Sequence, residues 1–180
     1  MKKKFLVLWG LAITILLSIT HGFAGYLITP FTNAGSNPDI NNNGQVAWEA
    51  IGEIFLYDGN VINHLTDNDI FDGSPQINNN GQVVWYWSNI RNFFYDSTTT
   101  TQITNVDSFR GGYPQINNNG YVVWYESDGH DQEIFLYDGS NKIQKTDNEY
   151  GDAFPDINDI GQIVWSGHDG PSVVDQGNYI

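Results

Sequence analysis

The apolar and polar positions of this chain form a pattern that returns four times. PDINNNGQVAW (Pro38 to Trp48), PQINNNGQVVW (Pro75 to Trp85), PQINNNGYVVW (Pro114 to Trp124) and PDINDIGQIVW (Pro155 to Trp165) align residue for residue, with starts 37, 39 and 41 residues apart. Each copy opens on Pro and a single Ile, crosses a polar run that ends in Gly, and closes in an apolar stretch that reaches Trp. That order predicts a short strand, a tight turn and a second strand. Asn43-Gly44, Asn80-Gly81 and Asn119-Gly120 are predicted to turn as type I′ pairs, because Asn and Gly both tolerate positive φ. Ile160 stands at that Asn position in the fourth copy and predicts a weaker or different turn.

Two further elements recur downstream. EIFLYDG (Glu53 to Gly59), NFFYDS (Asn92 to Ser97) and EIFLYDG (Glu133 to Gly139) read as a third strand entering a turn. VINHLTDN from Val61, TQITN from Thr101 and KIQKTDN from Lys142 read as a fourth. No stretch after the N-terminal segment sustains helical spacing, since Gly, Asn and Asp interrupt every candidate. The reading is an all-β chain of about four β-propeller-type blades, each of four antiparallel strands and starting at Pro38, Pro75, Pro114 and Pro155. Thr29, Thr66, Thr104 and Thr146 precede these prolines by 9, 9, 10 and 9 residues. Tyr26 to Thr29 is therefore expected to be a lone fourth strand that completes the last blade, whose own third strand, around Ser172 to Ile180, is poor. The alternatives are an open stack, a longer protein, or two chains pairing into a larger ring.

These residues resemble the TolB-type, WD-like propeller repeat. There a Pro-led strand, a Ser-Pro-Asp-Gly turn, an Ile-Tyr-x-Met-Asp strand and a closing Leu-Thr recur; here the turn is Asn-Asn-Asn-Gly, the third strand is Ile-Phe-Leu-Tyr-Asp-Gly, and the closing pair is Leu65-Thr66 and Ile103-Thr104. The INNNGQVV core is also similar to repeats of bacterial extracellular proteins. The resemblance spans about Tyr26 to Trp165. It implies a protein-binding module and carries no reaction.

Lys2, Lys3 and Lys4 precede an apolar run from Phe5 to Thr20 and a small-residue pattern ending at Ala24, which predicts a signal peptide over 1–24 and a single repeat domain over 25–180. The alternative is a retained membrane anchor. Loss of the leader would remove three of the seven basic residues and none of the 21 acidic ones. So acidic a chain argues against nucleic-acid and anionic-membrane partners. The expected location is periplasmic or extracellular, with no membrane span after cleavage. There is no Cys, which removes disulfides, thiolate catalysis and Cys-based zinc sites.

Candidate chemistry is sparse. Trp48, Trp85, Trp124 and Trp165 recur at one repeat position and are expected to pack blade on blade; a sugar-stacking platform is the alternative. Trp87 has no counterpart in other repeats, so Tyr86 and Trp87 are expected to form an exposed aromatic pair that contacts a ligand. His130 and His168 sit in similar loops and could meet at a rim to bind a transition metal with Asp131 or Asp169; solvent-exposed loop histidines are the plainer reading. Asp67, Asp69 and Asp72 in one inter-unit loop, and Asp147, Glu149 and Asp152 in another, space oxygen donors as half of a calcium loop would; Asx turns are the plainer reading. Neither GxSxG nor a phosphate loop is present. The function read from this is a non-catalytic scaffold that needs no cofactor and presents loops to a protein or glycan. A glycosidase or lyase using acidic loop residues is one alternative and a structural surface repeat protein, oligomeric if its ring does not close, is another.

Overall fold

The computed structural model describes residues 35–88, 91–104, 112–167 and 174–175. The signal segment 1–24 and the expected closing strand Tyr26 to Thr29 lie outside them. The described residues contain strands and turns and no helix, hence none long and apolar enough to cross a membrane.

The strands form four antiparallel blades. The first holds β1 (Gly35–Ile40), β2 (Val46–Ala50), β3 (Glu53–Tyr57) and β4 (Ile62–His64). The second holds β5 (Asp72–Ile77), β6 (Val83–Trp87), β7 (Arg91–Tyr95) and β8 (Thr100–Gln102). The third holds β9 (Gly112–Ile116), β10 (Val122–Ser127), β11 (Gln132–Tyr137) and β12 (Lys142–Gln144). The fourth holds β13 (Asp152–Ile157), β14 (Ile163–Gly167) and the two-residue β15 (Val174–Asp175). First strands of successive blades touch, whereas β4, β8 and β12 make no comparable contact with one another. The blades therefore fan out, with β1, β5, β9 and β13 innermost.

Alternation along the second strand of each blade explains why both its faces are apolar. Side chains two apart share a face, so Val83 and Trp85 pack back onto Ala47, Ile54 and Leu56 of the first blade. Val84, one residue out of phase, packs forward with Val122, Trp124 and Phe135 of the third. Val123 and Leu136 of the third blade then meet Ile163 and Trp165 of the fourth. Trp85, Trp124 and Trp165 thus pack blade on blade, and Trp48 is buried against Phe55.

The Asn-rich turn differs from the type I′ expectation. Gly44, Gly81, Gly120 and Gly161 have φ of 75, 74, 81 and 80°, but the residue before each is not left-handed. Gly44 N–H donates to Asn41 O at 3.1 Å and Asn41 N–H to Gln45 O at 3.1 Å, the arrangement of a type I turn followed by a left-handed Gly in a three-residue loop. The side chain of the first Asn selects it: Asn41 Oδ1 accepts from the N–H groups of Asn43 and Gln45, both at 3.0 Å. Ile160 does not alter the turn, because its position needs only an ordinary right-handed φ; Gly161 N–H still reaches Asn158 O at 3.1 Å.

The same turns are riveted across blades. Asn41 Nδ2 donates to Asn78 O at 2.8 Å, Asn78 Nδ2 to Asn117 O at 2.9 Å and Asn117 Nδ2 to Asn158 O at 3.0 Å. Alongside them Asn42 N–H donates to Asn79 Oδ1, and Asn79 N–H to Asn118 Oδ1, each at 2.8 Å. Replacing Asn78 by Ala strips acceptors from two backbone N–H groups and the donor from a buried carbonyl. Asn78→Ala is expected to lower the free energy of unfolding by about 2–3 kcal/mol, read from urea denaturation.

Candidate functional site

At the start of each innermost strand the ladder slips by one residue. The slips fall between Ser36 and Asp39, Gly73 and Gln76, Val123 and Tyr125 on the partner strand, and Ala153 and Asp156. Each is a β-bulge, and each places its Pro where no ladder N–H is required. The residue before that Pro is left-handed in every blade: Asn37, Ser74, Tyr113 and Phe154 have φ of 47, 46, 52 and 52°. A non-Gly residue pays for that conformation, the more so before Pro. A bulge re-aims the side chain it carries.

The four bulge residues lie on adjacent innermost strands and form one row, at the end of the blades opposite the Asn turns. Its second half is aromatic. Tyr113 is 46% and Phe154 64% exposed, with ring centroids 5.9 Å apart. Behind them Tyr125 lies 6.3 Å from Tyr113 and 5.6 Å from Phe154. Tyr86 lies 5.9 Å from Tyr113 and 6.3 Å from Phe71. Phe71, Ile70 and Ile51 extend the exposed apolar row past the second blade. Ile51 is itself left-handed, at φ 59°, and with Gly52 at φ 80° makes the two-residue turn between β2 and β3. The first half of the row is polar. Glu49 accepts from Ser36 Oγ at 3.1 Å, Asn37 Nδ2 at 2.9 Å and Ser74 N–H at 3.2 Å. Between the halves lies a pocket of about 270 Å³ bounded by Asn37, Ser74, Gln76, Tyr113, Pro114 and Gln115.

No family model matches the sequence, and no curated protein matches it. Solved structures do. A chain of the mitotic checkpoint complex aligns with a TM-score of 0.57 and 16% identity, over 88% of this chain and 56% of that one. The fold is a β-propeller. Virginiamycin B lyase from Staphylococcus aureus aligns with a TM-score of 0.49 and 12% identity, over 86% of this chain and 61% of that one. The putative TolB from Agrobacterium tumefaciens aligns with a TM-score of 0.40 and 13% identity, over 74% and 70%. This propeller spans just over half the length of the checkpoint-complex chain, and at such identities the likeness concerns fold alone.

The predicted site residues scatter over the propeller. Tyr86 and Trp87 are not an exposed pair: neighbours on one strand face opposite ways, so Tyr86 is buried under the rim while Trp87 turns to the other face. There the Arg91 guanidinium covers Trp87 at 4.4 Å. His130 is exposed in the β10–β11 loop, where its N–H donates to Asp128 Oδ1 at 2.9 Å; His168 lies outside the described residues. Asp67, Asp69, Asp147 and Glu149 stay exposed, whereas Asp72 and Asp152 turn inward and are buried. Neither trio brings its carboxylates together. Asp72 accepts from Trp85 Nε1 at 2.9 Å and Asn68 Nδ2 at 2.8 Å, and Asp152 from Asn148 Nδ2 at 2.9 Å. These acids close blades. Glu53 and Glu133 do the same: each accepts a hydrogen bond from the hydroxyl of the closing Thr, Thr66 or Thr146, and from the N–H of Asn68 at 2.9 Å or Asn148 at 3.0 Å. The described carboxylates that do converge are Asp128, Asp131 and Glu133, with ligand oxygens within 4.8 Å of one another, a geometry that could hold a cation. The rim residues were missed by sequence reasoning. Their signal was an aromatic directly before a unit-starting Pro in two repeats.

Burial raises Asp72 above its ordinary 3.8 and Glu133 above 4.5. A raised carboxylate holds its proton more tightly in the folded state, so its contribution to stability is full below the unfolded value and is lost as pH rises through the folded one. Asp58, Asp96, Asp138 and Asp159 have the opposite sign. The Val61 N–H, the Thr98 hydroxyl, the Asn141 N–H and the Asn118 N–H, respectively, are the main causes that lower them; their contribution is lost as pH falls. Asp72→Asn removes one raised group. Denaturation from about pH 4 to pH 7 should therefore show the wild-type stability falling relative to this variant as pH rises.

Proposed function

We propose that this chain is an exported, non-catalytic binding propeller whose ligand, a protein surface ahead of a glycan, docks on the bulge rim. The observation that carries the reading is the exposed row Ile51, Ile70, Phe71, Tyr113 and Phe154, in which Ile51, Tyr113 and Phe154 hold left-handed backbone. Exposed apolar side chains in one row mark interaction surfaces, and strained backbone concentrates at functional positions. Aliphatic Ile51 and Ile70 suit a protein better than a sugar, while Tyr113 beside the Gln76 and Gln115 amides keeps a sugar-stacking contact open.

The glycosidase or lyase alternative has less support. It asks for converging carboxylates with one held protonated, and Glu133 beside Asp131 is the nearest approach. Glu133 is engaged on both oxygens by Thr146 and Asn148, a set that Glu53, Thr66 and Asn68 repeat in the first blade. Duplication of that kind is the mark of a structural bond.

A photo-crosslinking residue placed at Tyr113 in the producing cell should give a discrete protein adduct outside the cytoplasm, while the same residue at Trp87 should not. Tyr113→Ala with Phe154→Ala should weaken binding of the captured partner at least 30-fold, as loss of interface anchors does, with the circular dichroism spectrum of the folded protein retained. Adducts from Trp87 alone, or a glycan array positive with both variants, would refute the rim as the binding face.

A further inference from the structure

The third strand of each four-stranded blade carries a Phe beside the recurring Trp: Phe55 with Trp48, Phe93 with Trp85 and Phe135 with Trp124, at ring centroids 5.5, 5.8 and 6.2 Å apart. What lies over that Phe differs from blade to blade. In the first blade the His64 ring stacks on Phe55 at 4.3 Å. In the third the Lys142 ammonium lies 4.3 Å from the centre of Phe135 and 6.0 Å from that of Trp124. Lys142 Nζ donates to Glu126 Oε1 at 2.6 Å, while Glu126 Oε2 accepts from Trp124 Nε1 at 2.9 Å. The third blade thus holds a cation between an aromatic pair and a buried carboxylate that is itself anchored on the Trp indole.

The second blade repeats the aromatic pair and the anchored carboxylate but has Thr100 at the place of Lys142. Thr100 faces Tyr95 across the ladder as Lys142 faces Tyr137, and among the described residues no Lys or Arg lies over Phe93. Asp72 takes the part of Glu126: it is 1% exposed and accepts from Trp85 Nε1 at 2.9 Å. The groups that donate to it are neutral. A cavity of about 230 Å³ opens here, between the first and second blades, walled by Asp67, Asp72, Trp85, Trp87, Phe93 and Thr100. Trp87 stands where the third blade has Glu126 and adds a further ring; Arg91 covers it at 4.4 Å and does not line the cavity.

We infer that this cavity binds a small alkylammonium ion, seated over Phe93 and Trp85 with its charge against Asp72, as Lys142 is seated in the next blade. The repeat itself shows which chemistry this face accepts, since Lys142 places a four-carbon stem and an ammonium on the equivalent rings. A carboxylate removed from water gains most from an opposite charge beside it, and exposed Asp67 adds a second negative charge to the wall. Aromatic faces favour a cation over a neutral group of the same shape. The volume suits a small ligand: a dry cavity of about 150 Å³ holds benzene, so this one takes a short-stemmed amine. Trp87 turns away from Tyr86 and the bulge rim, which makes this a site separate from the proposed protein-binding face.

Titration of the isotope-labelled full chain with n-butylammonium chloride, followed by nuclear magnetic resonance, should shift the indole N–H signals of Trp85 and Trp87, saturate at millimolar amine and leave those of Trp124 and Trp165 in place. n-Butanol, the same stem without the charge, should shift none of them. Asp72→Asn should weaken the amine at least tenfold. Thr100→Lys, which supplies the ammonium from the chain itself, should abolish the titration with the circular dichroism spectrum retained. Nα-acetyl-lysinamide carries the same stem on a peptide backbone and tests the source: weaker binding than n-butylammonium marks a free amine, equal binding marks a lysine side chain, and both support an ammonium site. Equal shifts with n-butanol, a titration unchanged in Thr100→Lys, or shifts of Trp124 in place of Trp85 would each overturn the inference.

Discussion

A blade of four short strands has two apolar faces and no means of drying either by itself. Three strands of about five residues and a shorter fourth enclose no volume, so the only way to remove Val83, Trp85 and Val84 from water is to place a similar blade on each side. Burial of a large aliphatic or aromatic side chain is worth roughly 1.5–3 kcal/mol, and each junction buries several. The inner Asn turns give this nonspecific drive its register. One side chain, Asn78, holds its own turn through Oδ1 and the next blade through Nδ2, so blade closure and blade spacing are set by the same atoms.

The two ends of the blades are built on opposite terms. At the turn end, polar side chains satisfy backbone groups and the left-handed residues are glycines apart from Ser97. At the other end Asn37, Ser74, Tyr113, Phe154 and Ile51 all hold positive φ without being Gly. Core packing does not account for that cost at Phe154 and Ile51, whose side chains face solvent. The left-handed bulge recurs in every blade, and in the third and fourth it carries an exposed aromatic ring, the feature on which the proposed contact surface rests.

The acidic composition acquires a meaning that charge counting did not supply. Asp58, Asp96 and Asp138 each accept two successive backbone N–H groups in the turn after the third strand. Asp159 caps the turn of the blade before it. Glu53 and Glu133 tie the closing Thr to the third strand. Much of the negative charge therefore does structural work as hydrogen-bond acceptor, and the raised Asp72 and Glu133 arise from this packing.

The amino-acid sequence by itself determined the repeat, the strand order within a blade and the all-β class, because these depend on local periodicity and on the places of Pro, Gly and Trp. It also placed Trp85, Trp124 and Trp165 between blades, since a residue recurring once per unit serves the unit. Turn type escaped it: Asn-Gly admits two hairpins, and the choice rests on the first Asn side chain, three residues away from the Gly. The rim escaped it too. Tyr113 and Phe154 are separated by about one repeat, and only the bulges and the fan of the blades make them neighbours. The Tyr86–Trp87 pair failed for the converse reason, because adjacency in a strand means opposite faces.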